Sequence, residues 1–190
     1  MKISLFPTLK ADPKAPRRSI WGLALGCLLS ALATVPDSAF SMGVLPGISE
    51  PAIRGQARLR VFGFSIHDAT LFTQRGEAYV AGKPAALQLV YLRSFSAEQL
   101  TKSTQEELER VLGPSPTVAA DTAKLATCFR DVKASDSFTA ITSSPNDLRL
   151  YLNGQQTCKL NDPQLATRFL SIWLSDKSRS PAMSKKLRGN

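Results

Sequence analysis

The 190-residue chain contains one histidine and three cysteines, and aromatic residues make up 7% of it. These shortages exclude several chemistries. No CxxC pair occurs, and His, Asp and Glu do not cluster at metal-ligand spacing, so no metal site can be written and no cofactor is expected. His67, the single histidine, has no nucleophile-and-acid constellation around it of the kind covalent catalysis needs. The longest apolar run, residues 20–35, is too short and too weakly flanked for a good membrane span. Lys10, Lys14, Arg17 and Arg18 precede it, and Ala39-Phe40-Ser41 follows with small residues where a signal peptidase reads. Residues 1–41 are therefore expected to be an export signal, with Ala31-Leu32-Ala33 as a second cleavage site, and the mature protein is expected in the periplasm. A lipid on Cys27 or an uncleaved anchor are the alternatives.

The formal net charge of +9 is concentrated at the two ends. Beyond residue 41, 19 basic and 13 acidic residues remain; the tail from Ser175 holds five of the basic ones against Asp176. The middle is close to neutral, which argues against a broad nucleic-acid-binding face. A basic tail can touch anionic lipid headgroups, so peripheral membrane contact there is an expectation, with a solvated terminal helix as the alternative. Cys128 and Cys158 are the cysteines left in the mature chain, and an oxidising compartment permits a disulfide between them, with two free thiols as the alternative.

Residues 42–54 read as a linker and residues 55–190 as one domain. Alternation from Gln56 to Thr73 predicts one long strand, bent near residues 65–68, with Arg58, Arg60, Phe62 and Phe64 on one side. Residues 78–80 and 86–93 predict further strands. Ser96-Ala97-Glu98-Gln99 is a capping box opening a helix with Leu100, Leu108, Val111 and Leu112 on its apolar side and Glu106, Glu107, Glu109 and Arg110 on a solvated one. Ser115-Pro116 opens a second helix. A strand over 136–142 precedes a hairpin closed by Asn153-Gly154, both of which tolerate the positive φ of a type I′ turn. Asp162-Pro163 is expected to cap a helix carrying Leu165, Phe169, Ile172 and Trp173 on one face, and Ser180-Pro181 a short basic helix. Grouped strands and grouped helices indicate an α+β fold with an antiparallel sheet.

The element order resembles that of bacterial chalcone isomerase-like proteins. So do Gly55-Gln56-Ala57-Arg58-Leu59-Arg60-Val61-Phe62-Gly63, Asp68-Ala69-Thr70-Leu71, Leu89-Val90-Tyr91-Leu92-Arg93, Asp131-Val132-Lys133-Ala134-Ser135-Asp136, Asn153-Gly154 and residues 169–174. The resemblance implies an open-faced β-sandwich: a large antiparallel sheet, a layer of helices on one face and a cleft between them. It also implies two functions, since plant enzymes of this kind cyclise chalcones and related non-catalytic members bind fatty acids. Ser65 stands where the enzymes have a threonine, and Arg58 or Arg60 where they have an arginine; their later Tyr, Lys and Asn have no counterpart.

The residues themselves support a binding reading through Arg58 and Arg60, because an arginine at an apolar cleft holds a carboxylate with two parallel hydrogen bonds. The ligand expected is a small apolar or anionic molecule such as a fatty acid. An isomerase or intramolecular lyase using Arg60, Ser65, His67 and Tyr91 is the alternative, and an envelope interaction protein without a small ligand a third reading.

Overall fold

The computed structural model describes residues 45–190. The expected export signal lies outside the described residues. Six strands, β1 (Pro51–Val61), β2 (Phe64–Gln74), β3 (Ala85–Tyr91), β4 (Ser137–Thr142), β5 (Asp147–Leu152) and β6 (Gln155–Asn161), form one sheet in sequence order, each antiparallel to the next. Helices α1 (Ala97–Leu112), α2 (Pro116–Ala126), α3 (Leu165–Leu174) and α4 (Pro181–Arg188) bury their apolar sides with one face of that sheet. This is the α+β architecture expected, an open antiparallel sheet with a helical layer.

Alternation along each strand decides which side chains meet the helices. Ala69, Leu71, Leu87, Leu89, Leu148 and Leu150 join Leu108, Leu125, Phe169 and Leu187 in the main core. On the opposite face Leu45 and Ile48 close a smaller cluster with Phe72, Ala86 and Ile141. Residues 42–54 are thus more than a linker: two of them are core, and β1 already starts at Pro51. Both clusters close within residues 45–190, so this segment carries its own core.

The local signals for the helices hold where neighbouring residues supply the caps. Ser96 accepts from the Gln99 amide while the Gln99 side chain accepts from the Ser96 amide, a complete capping box, and the Ser115 hydroxyl accepts from the Val118 amide at α2. The start of α3 differs from expectation. Its N-cap is Gln164 at φ 60, without a side-chain cap bond, and the Asp162 carboxylate instead pairs with Lys124. The first amides of α3 are satisfied from outside, those of Ala166 and Thr167 by the Pro145 carbonyl, because the loop before β5 reaches them first.

The largest revision concerns the first strand. The segment read as one bent strand is a hairpin, β1 and β2, turning at Phe62 (φ 49) and Gly63 (φ 80). The expected bend near residues 65–68 is a β-bulge: Leu59 faces His67 and Arg60 faces Ser65, leaving Ile66 without a partner on β1. Residues 78–80 find no strand to pair with and form no strand. The basic C-terminal helix is not merely solvated. Met183 and Leu187 of α4 are core, and the helix lies so close to β1 that a Cβ on Gly55 would sit 2.2 Å from the Lys186 carbonyl oxygen. Only glycine admits that contact.

Candidate functional site

Between the sheet and the helices lies a cavity of about 340 Å³. Leu59, Leu87, Leu89, Phe138 and Ala140 line it from the strands, and Phe169, Ile172, Trp173 and Met183 from α3 and α4. The lining residues that keep some exposure are Leu59, Val61 and Ile66 of the first hairpin, Phe95 just ahead of α1, Gln99, Leu100 and Ser103 of α1, Trp173 of α3, and Arg179 and Ser180 between α3 and α4. The open side is therefore bounded by the β1–β2 hairpin, the first turns of α1 and the α3–α4 connection.

Two polar groups line it from the strands. His67 faces the cavity together with its neighbour Ile66, which alternation alone would forbid; the bulge turns both side chains inward. His67 is paired in register with Tyr91, and their rings are 6.1 Å apart, edge to face, with Phe95 5.8 Å beyond Tyr91. His67 is 4% exposed, and its Nδ1 has no hydrogen-bond partner among the described residues. Burial lowers its pKa to about 4, against a smaller upward pull from the Asp68 carboxylate, and burial also raises the Tyr91 phenol above its ordinary value. At neutral pH both groups are uncharged.

The charged members of the lining neutralise one another. Glu107 of α1 is 7% exposed, and Arg179 Nε donates to its Oε1 while Arg110 Nε donates to Oε2 at 3.2 Å. An acidic residue this buried persists because both oxygens are bound by guanidinium groups. Sequence reading placed Glu107 on the solvated face of α1. The spacing Leu100, Thr104, Glu107, Leu108 and Val111 follows the apolar stripe of the helix, which was the available signal. Arg179 comes from a connection 72 residues away, which no local pattern ties to Glu107.

The residues nominated from the sequence separate into two groups. His67 and Tyr91 are brought together in the cavity. Arg58, Arg60 and Ser65 are not among its lining residues. Arg58 lies on the far face of the sheet, where its Nε and Nη2 donate to Asp68 at 2.6 and 2.8 Å, and this fork holds the Asp68 carboxyl below its ordinary range. Arg60 shares that outward parity and is exposed, because Leu59 and Val61 take the inward positions. The expected carboxylate clamp on β1 is therefore replaced by side chains pointing away from the cleft. Cys128 and Cys158 form a disulfide with Cα atoms 5.3 Å apart, tying the end of the α2 segment to β6. Among the described residues no group of His, Cys, Asp and Glu is placed to hold a metal ion, and no helix is long and apolar enough to cross a membrane.

Comparison with known proteins adds a family and a fold. The family model described as chalcone isomerase-like matches residues 52–189. Among solved structures, a fatty-acid binding protein from Arabidopsis thaliana superposes with a TM-score of 0.54 at 9% identity, over 77% of this chain and 91% of that one. At that identity the likeness is one of fold. No curated protein matches the chain.

Proposed function

Starting from the fact that the chain belongs to the chalcone isomerase-like family, we propose that it is a non-catalytic binding protein for a small, largely apolar molecule of the fatty-acid kind, held between the sheet and the helices. The observation that carries the reading is the cavity itself, about 340 Å³ with an aliphatic and aromatic lining. Its size and composition fall in the range of small-molecule sites. The apolar body of the ligand lies along Leu87, Leu89, Phe129 and Phe169, where burial of each methylene contributes about 0.8 kcal/mol. Its polar end stays at the open side beside Arg179, since His67 is neutral and an ionised group near it would lose its hydration without gaining a counter-charge. A carboxylate there competes with Glu107 for the guanidinium.

The same burial weighs against an isomerase. A base with a pKa of about 4 is weak at neutral pH, and a phenol raised above its ordinary value is a reluctant acid. Arg60 and Ser65, the remaining catalytic candidates, are not lining residues. The Cys128–Cys158 bond supports action in an oxidising compartment, in keeping with the export signal read in residues 1–41.

Thermal unfolding with and without palmitate tests the reading. Saturation at a hundred times Kd stabilises the folded state by about 2.7 kcal/mol, a rise in midpoint of roughly 5–10 °C. Ser103→Trp, which places an indole at the open side without entering the core, should remove most of that shift. An unchanged midpoint across fatty acids of several lengths, with nothing extractable from the purified protein by organic solvent, would overturn it.

A further inference from the structure

The β1–β2 hairpin ends in Phe62-Gly63-Phe64, with Phe62 95% and Phe64 55% exposed. Among the described residues the other exposed large apolar side chains, Ile53, Val80 and Leu112, lie elsewhere in the fold: early in β1, in the β2–β3 connection and at the end of α1. Scattered residues of that kind are ordinary; two phenylalanines on one protruding turn are not. The backbone resists this choice as well, since Phe62 sits at φ 49, a region that bulky side chains enter only at a cost.

The surroundings of the tip are basic. Arg93 lies 4.6 Å over the Phe64 ring, and Arg60, across from Ser65, is exposed and in no ion pair among the described residues. The one acid on this part of the hairpin, Asp68, is occupied by Arg58. The same hairpin supplies Val61 and Ile66 to the open side of the cavity. Exposed aromatics flanked by cations, on a turn beside an apolar cavity, match the boundary between lipid headgroups and acyl chains.

We infer that the Phe62-Gly63-Phe64 tip is a membrane-docking element that inserts into the surface of an anionic bilayer, bringing the open side of the cavity to the source of its ligand. The transfer of ligand rests on the binding function proposed above; the docking does not. A protein partner is the less fitting occupant, because a stable protein interface buries about 1,200–2,000 Å², far more than one two-residue tip presents. The C-terminal tail, the other basic segment, is less available than its charge suggests: Arg179 is bound by Glu107 and Arg188 by Asp176.

The test uses residues 42–190, whose core closes on itself, so that the apolar run at residues 20–35 adds no membrane affinity. Co-sedimentation is measured with phosphatidylcholine vesicles with and without phosphatidylglycerol. The protein should bind the anionic vesicles, and Phe62→Ser/Phe64→Ser should weaken that binding at least about tenfold with an unchanged thermal midpoint, since neither ring is core. Arg60→Gln/Arg93→Gln should remove the part that depends on phosphatidylglycerol, while Lys185→Gln/Lys186→Gln leaves binding as it is. Binding insensitive to the phenylalanine pair, binding lost in the lysine pair, or no vesicle binding alongside tip-dependent capture of a protein would each overturn the proposal. In parallel, anilinonaphthalene sulfonate added from solution should bind the wild type and the phenylalanine variant equally. If it binds neither while the vesicles still sediment the wild type, the cavity reading falls and the docking stands.

Discussion

Two hairpins of this sheet turn with nearly the same backbone and opposite side-chain logic. The β5–β6 turn has φ 50 at Asn153 and 80 at Gly154; the β1–β2 turn has φ 49 at Phe62 and 80 at Gly63. Asn153 uses the geometry fully: its Oδ1 accepts from the Ser137 amide at 2.8 Å and its Nδ2 donates to Asp136 Oδ1 at 2.9 Å. Phe62 makes no comparable contact and holds its ring in solvent. The first choice serves stability, and the second is one the fold does not require. Local rules are broken where another demand is met, and here the break falls beside the cavity.

The contrast continues down the strands. Along β5–β6 the Tyr151 hydroxyl donates to Gln156 Oε1 at 3.1 Å, and Arg149, whose Nε is buried without a partner, still pairs with Asp147 through Nη2 at 3.1 Å. Along β1–β2 the bulge buries His67 without a partner for Nδ1. Its pH dependence gives the largest effect by which to sharpen the comparison. Burial holds the folded pKa at about 4, below the 6.5 of an exposed histidine. The unfolded chain therefore takes up a proton first as pH falls. Stability is full above pH 6.5 and declines towards pH 4, by about 3 kcal/mol over that window at 1.36 kcal/mol per unit. Denaturant unfolding of the wild type and His67→Leu at several pH values measures it. The variant should lack this part of the decline; equal losses in both proteins would show that His67 is accessible to protons in the folded state.

The same contrast explains what could be read from the residues alone. Asn153-Gly154, the Ser96/Gln99 capping box and the Ser115 cap are local devices, complete within a few residues, and all three are present as read. The first hairpin was hidden because its turn uses phenylalanine, which marks a strand rather than a turn. With the turn hidden, alternation still grouped Arg58 with Arg60, but parity cannot say which face meets the helices. The helices chose Leu59 and Val61. His67 and Tyr91 were legible as candidates because ionisable and phenolic groups are few. Glu107 and Arg179 were not, since their meeting depends on how α1 lies against the segment after α3.

Moving the first turn's residue into the second should break the β5–β6 hairpin's advantage. Asn153→Phe forces a bulky residue into the left-handed region and removes both side-chain hydrogen bonds, at a cost of about 2 kcal/mol. It also frees the Asp136 carboxyl, which Asn153 and the Lys133 amide hold below its ordinary range, so its pKa should rise. Equilibrium unfolding reports the first effect and carboxyl titration by NMR the second. A neutral substitution would mean that the register of β5 and β6 is set elsewhere, for instance by the loop closed with Cys128.

The reverse exchange, Phe62→Asn, is the smallest effect and discriminates best. Phe62 is almost wholly exposed, so no packing is lost, and asparagine suits φ 49 far better. The variant should be more stable by about 1 kcal/mol. If Phe62 docks on a membrane, the same variant should bind anionic vesicles less well while the ligand affinity of the cavity in solution is kept. Stability and vesicle affinity then move in opposite directions from a single side chain. A variant that is no more stable would show that the turn already accommodates phenylalanine without strain; one that is more stable and binds vesicles unchanged would leave the exposed ring as a cost the fold bears without return.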